Sequence, residues 1–127
     1  MSTKKTIIIV DDEPMIQLLL NQLFKGEYNV EMFSNGKEAL SWMYAGVIPD
    51  AAIIDLQMPE MNGYELLGHL KTSGYFEKMP VFVLSAEETS SDRIKCLEMG
   101  AEDYVTKPFN PKELKIRVER VLKSFAK

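Results

Sequence analysis

The chain has 127 residues, 46% of them hydrophobic and 27% charged, and a formal net charge of −4. This size and composition are typical of one globular domain, and the acidic balance argues against direct nucleic-acid binding as the main function, because phosphate recognition needs a basic surface. The single cysteine, Cys96, excludes an intramolecular disulfide, and without an apolar run long enough for a signal peptide or a membrane span we expect a cytoplasmic protein that makes no membrane contact.

The first half of the chain alternates strand, helix, strand, helix and strand. Its three predicted strands are apolar runs at 7–10, 28–33 and 51–54. The two helices between them have apolar residues at helical spacing, at Ile16, Leu19, Leu20 and Leu23, and then at Ala39, Leu40 and Met43. Gly26 is placed to end the first helix, and the Ser-Asn-Gly run at 34–36 separates the second strand from the second helix.

The second half continues the alternation with three helices and two strands. The Asn-Gly pair at 62–63 opens the third helix, and the strands lie at 80–84 and 103–106. The polar run at 90–92 is placed to cap the fourth helix, which Gly100 closes. The apolar stripes of the three helices are Leu66, Leu67 and Leu70, then Ile94 and Leu97, then Leu114, Val118, Val121, Leu122 and Phe125.

Apolar strands that alternate with amphipathic helices are typical of an α/β fold. We therefore expect a doubly wound, five-stranded parallel sheet with right-handed crossovers and helices on both faces. In such sheets ligands bind beyond the carboxyl ends of the strands, at the point where the strand order reverses. The residue that ends each strand is thus a candidate for the functional site.

Acidic, hydroxyl and basic side chains stand at these strand ends. Asp11 and Asp12 follow the first strand and Asp55 the third. Ser85 follows the fourth strand and Lys107 the fifth. Three neighbouring carboxylates need either raised pKa values or compensating charge, which one Mg²⁺ (or Mn²⁺) together with Lys107 would supply. Carboxylate and carbonyl oxygens suit Mg²⁺, and the chain has no set of His and Cys residues for zinc.

Such a cluster has a definite chemical use. A carboxylate beside Mg²⁺ and a lysine can attack phosphorus and form an acyl phosphate. The metal and the lysine would neutralise the phosphoryl oxygens in the transition state, and a hydroxyl at Ser85 could donate a hydrogen bond to one of them.

Four motifs carry a family resemblance: DDE at 11–13, DLQMPEMNG at 55–63, Ser85-Ala86 and YVTKPF at 104–109. In this order and spacing they resemble the receiver domain of bacterial two-component response regulators, over essentially the whole chain. The resemblance implies a single receiver domain over residues 1–127 with the flavodoxin-like strand order 2-1-3-4-5. It also implies a phosphoacceptor signalling switch rather than an enzyme, with only self-catalysed phosphotransfer and autodephosphorylation.

The resemblance further implies roles for the acids. Asp55 would be the phosphoacceptor. Asp11, Asp12 and Asp55 would bind the metal together with the backbone carbonyl of Gln57. A sensor histidine kinase or a phosphotransfer protein would supply the phosphoryl group. Gln57 and Glu87 are placed to tune the lifetime of the phosphorylated state.

Phosphate binding and switching are implied for the other matching positions. Lys107 and the backbone of Ala86 would bind the phosphoryl group. Ser85 would be the switch hydroxyl, and the ring of Tyr104 would turn inward when Ser85 moves. An ordinary, half-buried aromatic of an edge strand is the alternative for Tyr104. The bond between Lys107 and Pro108 would be cis.

The surface formed by the fourth helix, the fifth strand and the fifth helix carries charges of both signs. It is similar to the dimer face of receivers attached to winged-helix DNA-binding domains. We hypothesise a symmetric dimer, favoured by phosphorylation, with Arg93–Glu113 and Asp103–Arg117 pairs across a two-fold axis. An ordinary solvated face of mixed charge is the alternative.

Two other interpretations of the chain stay open. An interaction module on the same fold that is never phosphorylated would usually lack one of the acids or the lysine. A phosphatase of the haloacid-dehalogenase type would also use an aspartyl phosphate, but it needs a second aspartate where this chain has Gln57. Because the sequence stops just past the fifth helix, we expect either a stand-alone receiver or one domain of a longer protein.

Overall fold

The computed structural model of the protein describes residues 4–86 and 89–124. Within them five strands alternate with five helices, in the order β1 (Thr6–Val10), α1 (Pro14–Phe24), β2 (Asn29–Phe33), α2 (Gly36–Tyr44), β3 (Ala51–Asp55), α3 (Gly63–Thr72), β4 (Val81–Ser85), α4 (Ser90–Glu98), β5 (Asp103–Thr106) and α5 (Pro111–Ser124). Glu87 and Phe125, to which predictions were attached, lie outside the described residues. Among the helices described, none has the length and apolar character needed to cross a membrane.

The strands form one parallel sheet in the order β2-β1-β3-β4-β5, which confirms the predicted fold class. β1 and β3 lie side by side, with Ile7 opposite Ala51 and Val10 opposite Ile54. The chain passes from β2, on one side of β1, to β3 on the other, so the strand order reverses here. The carboxyl ends of β1 and β3 therefore flank the crevice in which such sheets bind ligands.

Apolar side chains cover both faces of the sheet. Successive residues of β1 point to opposite faces: Ile8 and Val10 pack with α2, α3 and α4, whereas Ile7 and Ile9 pack with α1 and α5. All four side chains are fully buried. Burial on both faces explains why the central strands are continuous apolar runs, and it gives the residues at their ends a rigid support.

The apolar stripe predicted for the fourth helix is wrong. Ile94 and Leu97 are 53% and 44% exposed, and α4 buries Cys96 instead. Asp92 lies one turn before Cys96 and accepts a hydrogen bond from the hydroxyl of Tyr64 in α3 at 2.7 Å, which keeps this side of the helix inward. Polar contacts therefore help to hold α4 to the fold, in addition to the burial of Cys96.

Smaller corrections concern two helix ends and one core residue. In α1 the fully buried residues are Leu20, as predicted, and Phe24, which was not predicted, whereas Leu19 of the predicted stripe is exposed. The same helix ends at Phe24, two residues before Gly26. The cap of α4 is Thr89, whose side chain accepts from a backbone N–H of the first turn, and not a residue of the run at 90–92.

Candidate functional site

Three carboxylates meet at the point where the strand order reverses. Asp11 and Asp12 follow β1 and Asp55 ends the neighbouring β3, and one oxygen from each lies within 4.8 Å of the other two. Asp11 and Asp55 are only 2% and 5% exposed, whereas Asp12 is open to water. The predicted convergence of these three acids is confirmed.

Lys107, just after β5, reaches into this cluster. Its Nζ lies 3.0 Å from Oδ2 of Asp11 and 3.6 Å from Oδ1 of Asp55. Its shortest contact, at 2.7 Å, is to Oε1 of Glu13. No role was predicted for Glu13 beyond its place in the acidic run. The signal available was that it is a third acid beside the pair at Asp11 and Asp12.

The cluster holds more negative charge than Lys107 compensates. Burial raises the pKa of Asp55 to about 6, and the charge of Asp11 adds to the effect. Lys107 and the backbone N–H of Gln57 act in the opposite direction on Asp55. Burial also raises the pKa of Asp11, although the backbone N–H of Glu13 donates to its carboxylate at 2.9 Å. For Lys107, burial works against the charge, but hydrogen bonds to Glu13 and Asp11 raise its pKa.

This donor set fits a hard divalent cation. The available ligands are carboxylate oxygens, three of which can approach one ion at the same time. A cation there would also offset the excess of negative charge that accompanies the raised pKa of Asp55. Gln57 lies beside the cluster, where it and Asp12 line an open cavity of about 620 Å³.

The backbone around Asp11 is fixed by hydrogen bonds to its neighbours. The N–H of Asp11 donates to the carbonyl of Phe33 at 3.0 Å, which extends the pairing of β1 with β2. The side-chain amide of Gln17 in α1 donates to the carbonyl of Asp11 at 2.7 Å. Pro14 begins α1 with a preset backbone angle and no N–H that needs a partner. The turn therefore holds the two acids in place, and the carboxylate of Asp12 stays open to water.

Gly63 allows α3 to begin against the end of β3. A Cβ atom at this position would lie 2.3 Å from the carbonyl oxygen of Asp55 and 2.6 Å from Cα of Leu56. The N–H of Gly63 donates to the carbonyl of Leu56 at 2.9 Å. Asn62 and Glu65 form a capping box over the same helix start. The close approach explains why glycine follows the cap, a requirement that the sequence pattern alone did not reveal.

The residues predicted for phosphate binding and switching lie on the next two strands. Ser85 ends β4 fully buried, and its carbonyl accepts from the backbone N–H of Lys107 at 2.8 Å. Ala86 follows and is exposed. Tyr104 of β5 is only 7% exposed, so its ring is more deeply buried than the half-buried alternative predicted. The bond from Lys107 to Pro108 is cis, as the resemblance implied.

The four charged residues predicted for the dimer face lie together around Tyr104, in a surface cavity of about 470 Å³. The guanidinium of Arg93 is 6.0 Å from the centre of the Tyr104 ring. Within the chain, Arg117 pairs with Asp103 and with Glu113, each at 2.9 Å. The Asp103–Arg117 pair that was predicted between two copies is thus also available within one.

A polar link between α3 and α4 was not predicted. Beside the hydrogen bond from Tyr64 to Asp92, the ammonium of Lys95 lies 4.1 Å from the centre of the Tyr64 ring. Burial and then the hydrogen bond to Asp92 raise the pKa of Tyr64, so the hydroxyl stays protonated. Tyr64 and Asp92 line the same cavity as Asp12 and Gln57, which places the link next to the acids.

The comparison with known families settles the class of the protein. The family model described as the response regulator receiver domain matches residues 7–119. The chain belongs to this family. The resemblance drawn from the four motifs is therefore confirmed, and receiver domains are the phosphoacceptor domains of two-component signalling, phosphorylated by histidine kinases.

Individual relatives show how far the likeness extends. This receiver domain is 42% identical to the response regulator GtcR of Aneurinibacillus migulanus over 121 residues, which are 94% of this chain and 48% of that protein. The receiver domain of a signal transduction histidine kinase from Syntrophus aciditrophicus is 33% identical, with a TM-score of 0.88 over 97% of this chain and 93% of that one. This chain spans about half the length of the first curated relatives it matches.

A second solved structure contains a metal. The receiver domain of a sensor histidine kinase from Pseudomonas aeruginosa has a magnesium ion coordinated in its active-site cleft. It is 25% identical to this chain, with a TM-score of 0.84 over 95% of this chain and 99% of that one.

Proposed function

We propose that this receiver domain is a Mg²⁺-dependent (or Mn²⁺-dependent) phosphoacceptor in which Asp55 takes a phosphoryl group from the phosphohistidine of a sensor histidine kinase or a phosphotransfer protein. One observation carries the proposal: the carboxylates of Asp11, Asp12 and Asp55 meet within 4.8 Å, with the Lys107 ammonium 3.6 Å from Asp55. This arrangement places a carboxylate nucleophile beside a lysine and a site for a metal ion, both of which can neutralise the charge of a phosphoryl group.

The transfer is a substitution at phosphorus. An Oδ atom of Asp55 attacks in line, so that an O–P bond forms while the P–N bond to the donor imidazole breaks. The imidazole nitrogen keeps the electron pair and takes up a proton. Lys107 neutralises a phosphoryl oxygen as charge develops on it. Water later hydrolyses the acyl phosphate and restores the Asp55 carboxylate, so the domain catalyses only its own modification.

Asp11, Asp12 and Asp55, with the backbone carbonyl of Gln57, would hold the metal ion. When bound, the ion supplies positive charge that neutralises the phosphoryl oxygens. The magnesium ion in the cleft of the Pseudomonas receiver domain supports this assignment. Calorimetry with Mg²⁺ checks it: we expect uptake by the wild type and much weaker uptake by Asp12→Asn, which replaces an exposed residue and so spares the fold.

Phosphorylation acts as a switch through the neighbouring strand ends. It replaces a charge of −1 on Asp55 by about −2 and adds acceptor oxygens. Lys107 and the backbone of Ala86 bind these oxygens, and the Ser85 hydroxyl moves to donate to one of them. Tyr104 lies buried on the adjacent strand β5, with the Arg93 guanidinium over its ring, and it responds to the movement of Ser85. The surface of α4, β5 and α5 is then repacked.

That surface is our candidate for a dimer interface favoured by phosphorylation. Arg93–Glu113 and Asp103–Arg117 pairs would form across a two-fold axis, which requires Arg117 to exchange its partners within the chain for those of a second copy. Sedimentation with and without beryllofluoride and Mg²⁺ tests this: we expect a dimer only with the phosphoryl mimic, and a monomer in both conditions would remove the idea.

Acetyl phosphate and Mg²⁺ test the proposed function directly. Intact mass should rise by one phosphoryl group, about 80 Da, in the wild type and not in Asp55→Asn. Asp50→Asn is the matched control, since Asp50 lies exposed at the opposite end of β3 and loses the same charge. No gain in the wild type would favour the interaction module that is never phosphorylated. Rapid turnover of many phosphoesters would favour the phosphatase. A cytoplasmic location stays a prediction.

A further inference from the structure

We infer that Glu13 is a positioning residue that holds the Lys107 ammonium back from Asp55 and so sets how readily the lysine meets an incoming phosphoryl group. The inference rests on the proposed function of Asp55. It concerns a residue to which neither the motifs nor the family match gave a role. Glu13 acts through Lys107 and does not itself touch the reacting atoms.

The distances show which carboxylate holds the lysine. Nζ of Lys107 lies 2.7 Å from Glu13 and 3.0 Å from Asp11, both within hydrogen-bond reach. The 3.6 Å to Asp55 is longer than a charge-assisted hydrogen bond. An ammonium group has three N–H donors, and two of them are directed to acceptors other than the proposed nucleophile.

Of these two acceptors, Glu13 is the one that can release the Lys107 ammonium. Asp11 is buried, and its carboxylate also accepts from the backbone N–H of Glu13 at 2.9 Å. The Glu13 side chain is 56% exposed, so water can replace the lysine as its partner. Its backbone, by contrast, is fixed as the residue before Pro14 at the start of α1. The carboxylate is thus held at the rim of the site on a side chain that is free to turn outward.

A phosphoryl group arriving at Asp55 competes with Glu13 for the same ammonium. Glu13→Gln keeps the shape and an acceptor oxygen but removes the charge that strengthens the hydrogen bond. Because the pair is partly exposed, its strength is modest, and we expect the variant to accept phosphate about two- to fivefold faster at saturating Mg²⁺. Lys107 itself is not phosphorylated, because it only exchanges the Glu13 carboxylate for the phosphoryl group as the acceptor of its hydrogen bond.

The kinetic experiment measures the initial rate of phosphate gain from phosphoramidate by intact mass. Glu60→Gln is the matched control, because Glu60 is an exposed acid in the loop after β3 and has no ion pair among the described residues. The decisive step repeats Glu13→Gln in a Lys107→Met background. We expect the acceleration to vanish there. An acceleration that persists, or an equal one in Glu60→Gln, would mean general relief of negative charge and would overturn the inference.

A second measurement does not depend on phosphorylation. Urea unfolding of the wild type, both single variants and the double variant in EDTA gives the coupling between Glu13 and Lys107. We expect the unfolding equilibrium constant to show about two- to fivefold coupling, and additive effects would overturn the inference even where Lys107→Met gains too little phosphate to measure. A wild type that never gains phosphate overturns the proposed function. A wild type that gains it as fast as Glu13→Gln overturns only the role of Glu13.

Discussion

Asp55 is the proposed nucleophile, and its carboxylate is also a buried charge that lowers the stability of the folded chain. Its carboxylate lies at the end of a fully buried strand, close to two other acids, and Lys107 compensates only part of the negative charge. Burial and the charge of Asp11 raise the pKa of Asp55 to about 6 from the ordinary 3.8. The residue is therefore suited to binding a cation and accepting phosphate, at a cost in stability without them.

Replacing Asp55 by asparagine should stabilise the protein in EDTA. Because the pKa is higher in the folded state, the free energy of unfolding falls as the pH rises from about 4 to about 6 and stays lower above that. Asp55→Asn should unfold at higher urea concentration at pH 8, by roughly 1–3 kcal/mol, and with little difference at pH 4. Glu60→Gln is the control, because it removes an exposed charge that has no ion pair among the described residues. A less stable Asp55→Asn variant at pH 8 would contradict this account of the charge.

At the scale of single residues, the sequence predicted the acids and Lys107 but not the contact between Lys107 and Glu13. Asp11, Asp12, Asp55 and Lys107 could be found because each ends an apolar run, and parallel strands bring their carboxyl ends to one edge of the sheet. The 2.7 Å contact between Lys107 and Glu13 could not be found, since it joins residues 94 positions apart through two flexible side chains. Side-chain placement of that kind is not encoded in periodicity or spacing.

Among the helices, α3 begins in close contact with the backbone at the end of β3. Gly63→Ala should destabilise the protein by about 1–3 kcal/mol, because the new methyl group would collide with the backbone of Asp55 and Leu56. Gly68→Ala in the same helix is the matched control: its Cβ would meet only a methionine methyl at 3.8 Å, so helix propensity should make it neutral or stabilising. Equal urea midpoints for the two variants would refute the steric argument.

α4 depends on its polar link to α3. Tyr64→Phe removes the hydrogen bond to Asp92 and should speed amide exchange in α4 by about two- to tenfold, measured by hydrogen–deuterium exchange. Tyr75→Phe is the control, since Tyr75 is largely exposed in the loop before β4. Unchanged exchange in α4 after Tyr64→Phe would show that other contacts hold the helix.

The same helix shows where element prediction fails. Its stripe of Ile94 and Leu97 follows helical spacing, yet both side chains face solvent, because the inner side is set by Asp92 and Cys96. α5 was predicted correctly in its described part, since Leu114, Val118 and Leu122 give an unambiguous buried stripe. Periodicity therefore identified both α4 and α5 as helices. It predicts which face is buried only where one side of the helix is clearly more apolar than the other.

At the scale of the whole molecule, the strand order brings together residues that local sequence patterns do not connect. Alternating elements predicted a parallel α/β sheet from the residues alone, whereas the order β2-β1-β3-β4-β5 came from the family resemblance and is confirmed. That order makes β1 and β3 neighbours, and only then do acids 43 or more positions apart in the chain come within 4.8 Å of one another. The site is thus a property of the assembled sheet.

Locating the phosphoryl group within the chain tests the central claim most directly. The protein is treated with phosphoramidate in Mg²⁺ or in EDTA and fragmented, and the fragments are weighed. The account predicts a gain of about 80 Da confined to the fragment that carries Asp55 and dependent on Mg²⁺. Phosphate on any other residue, or an equal gain in EDTA, would contradict it.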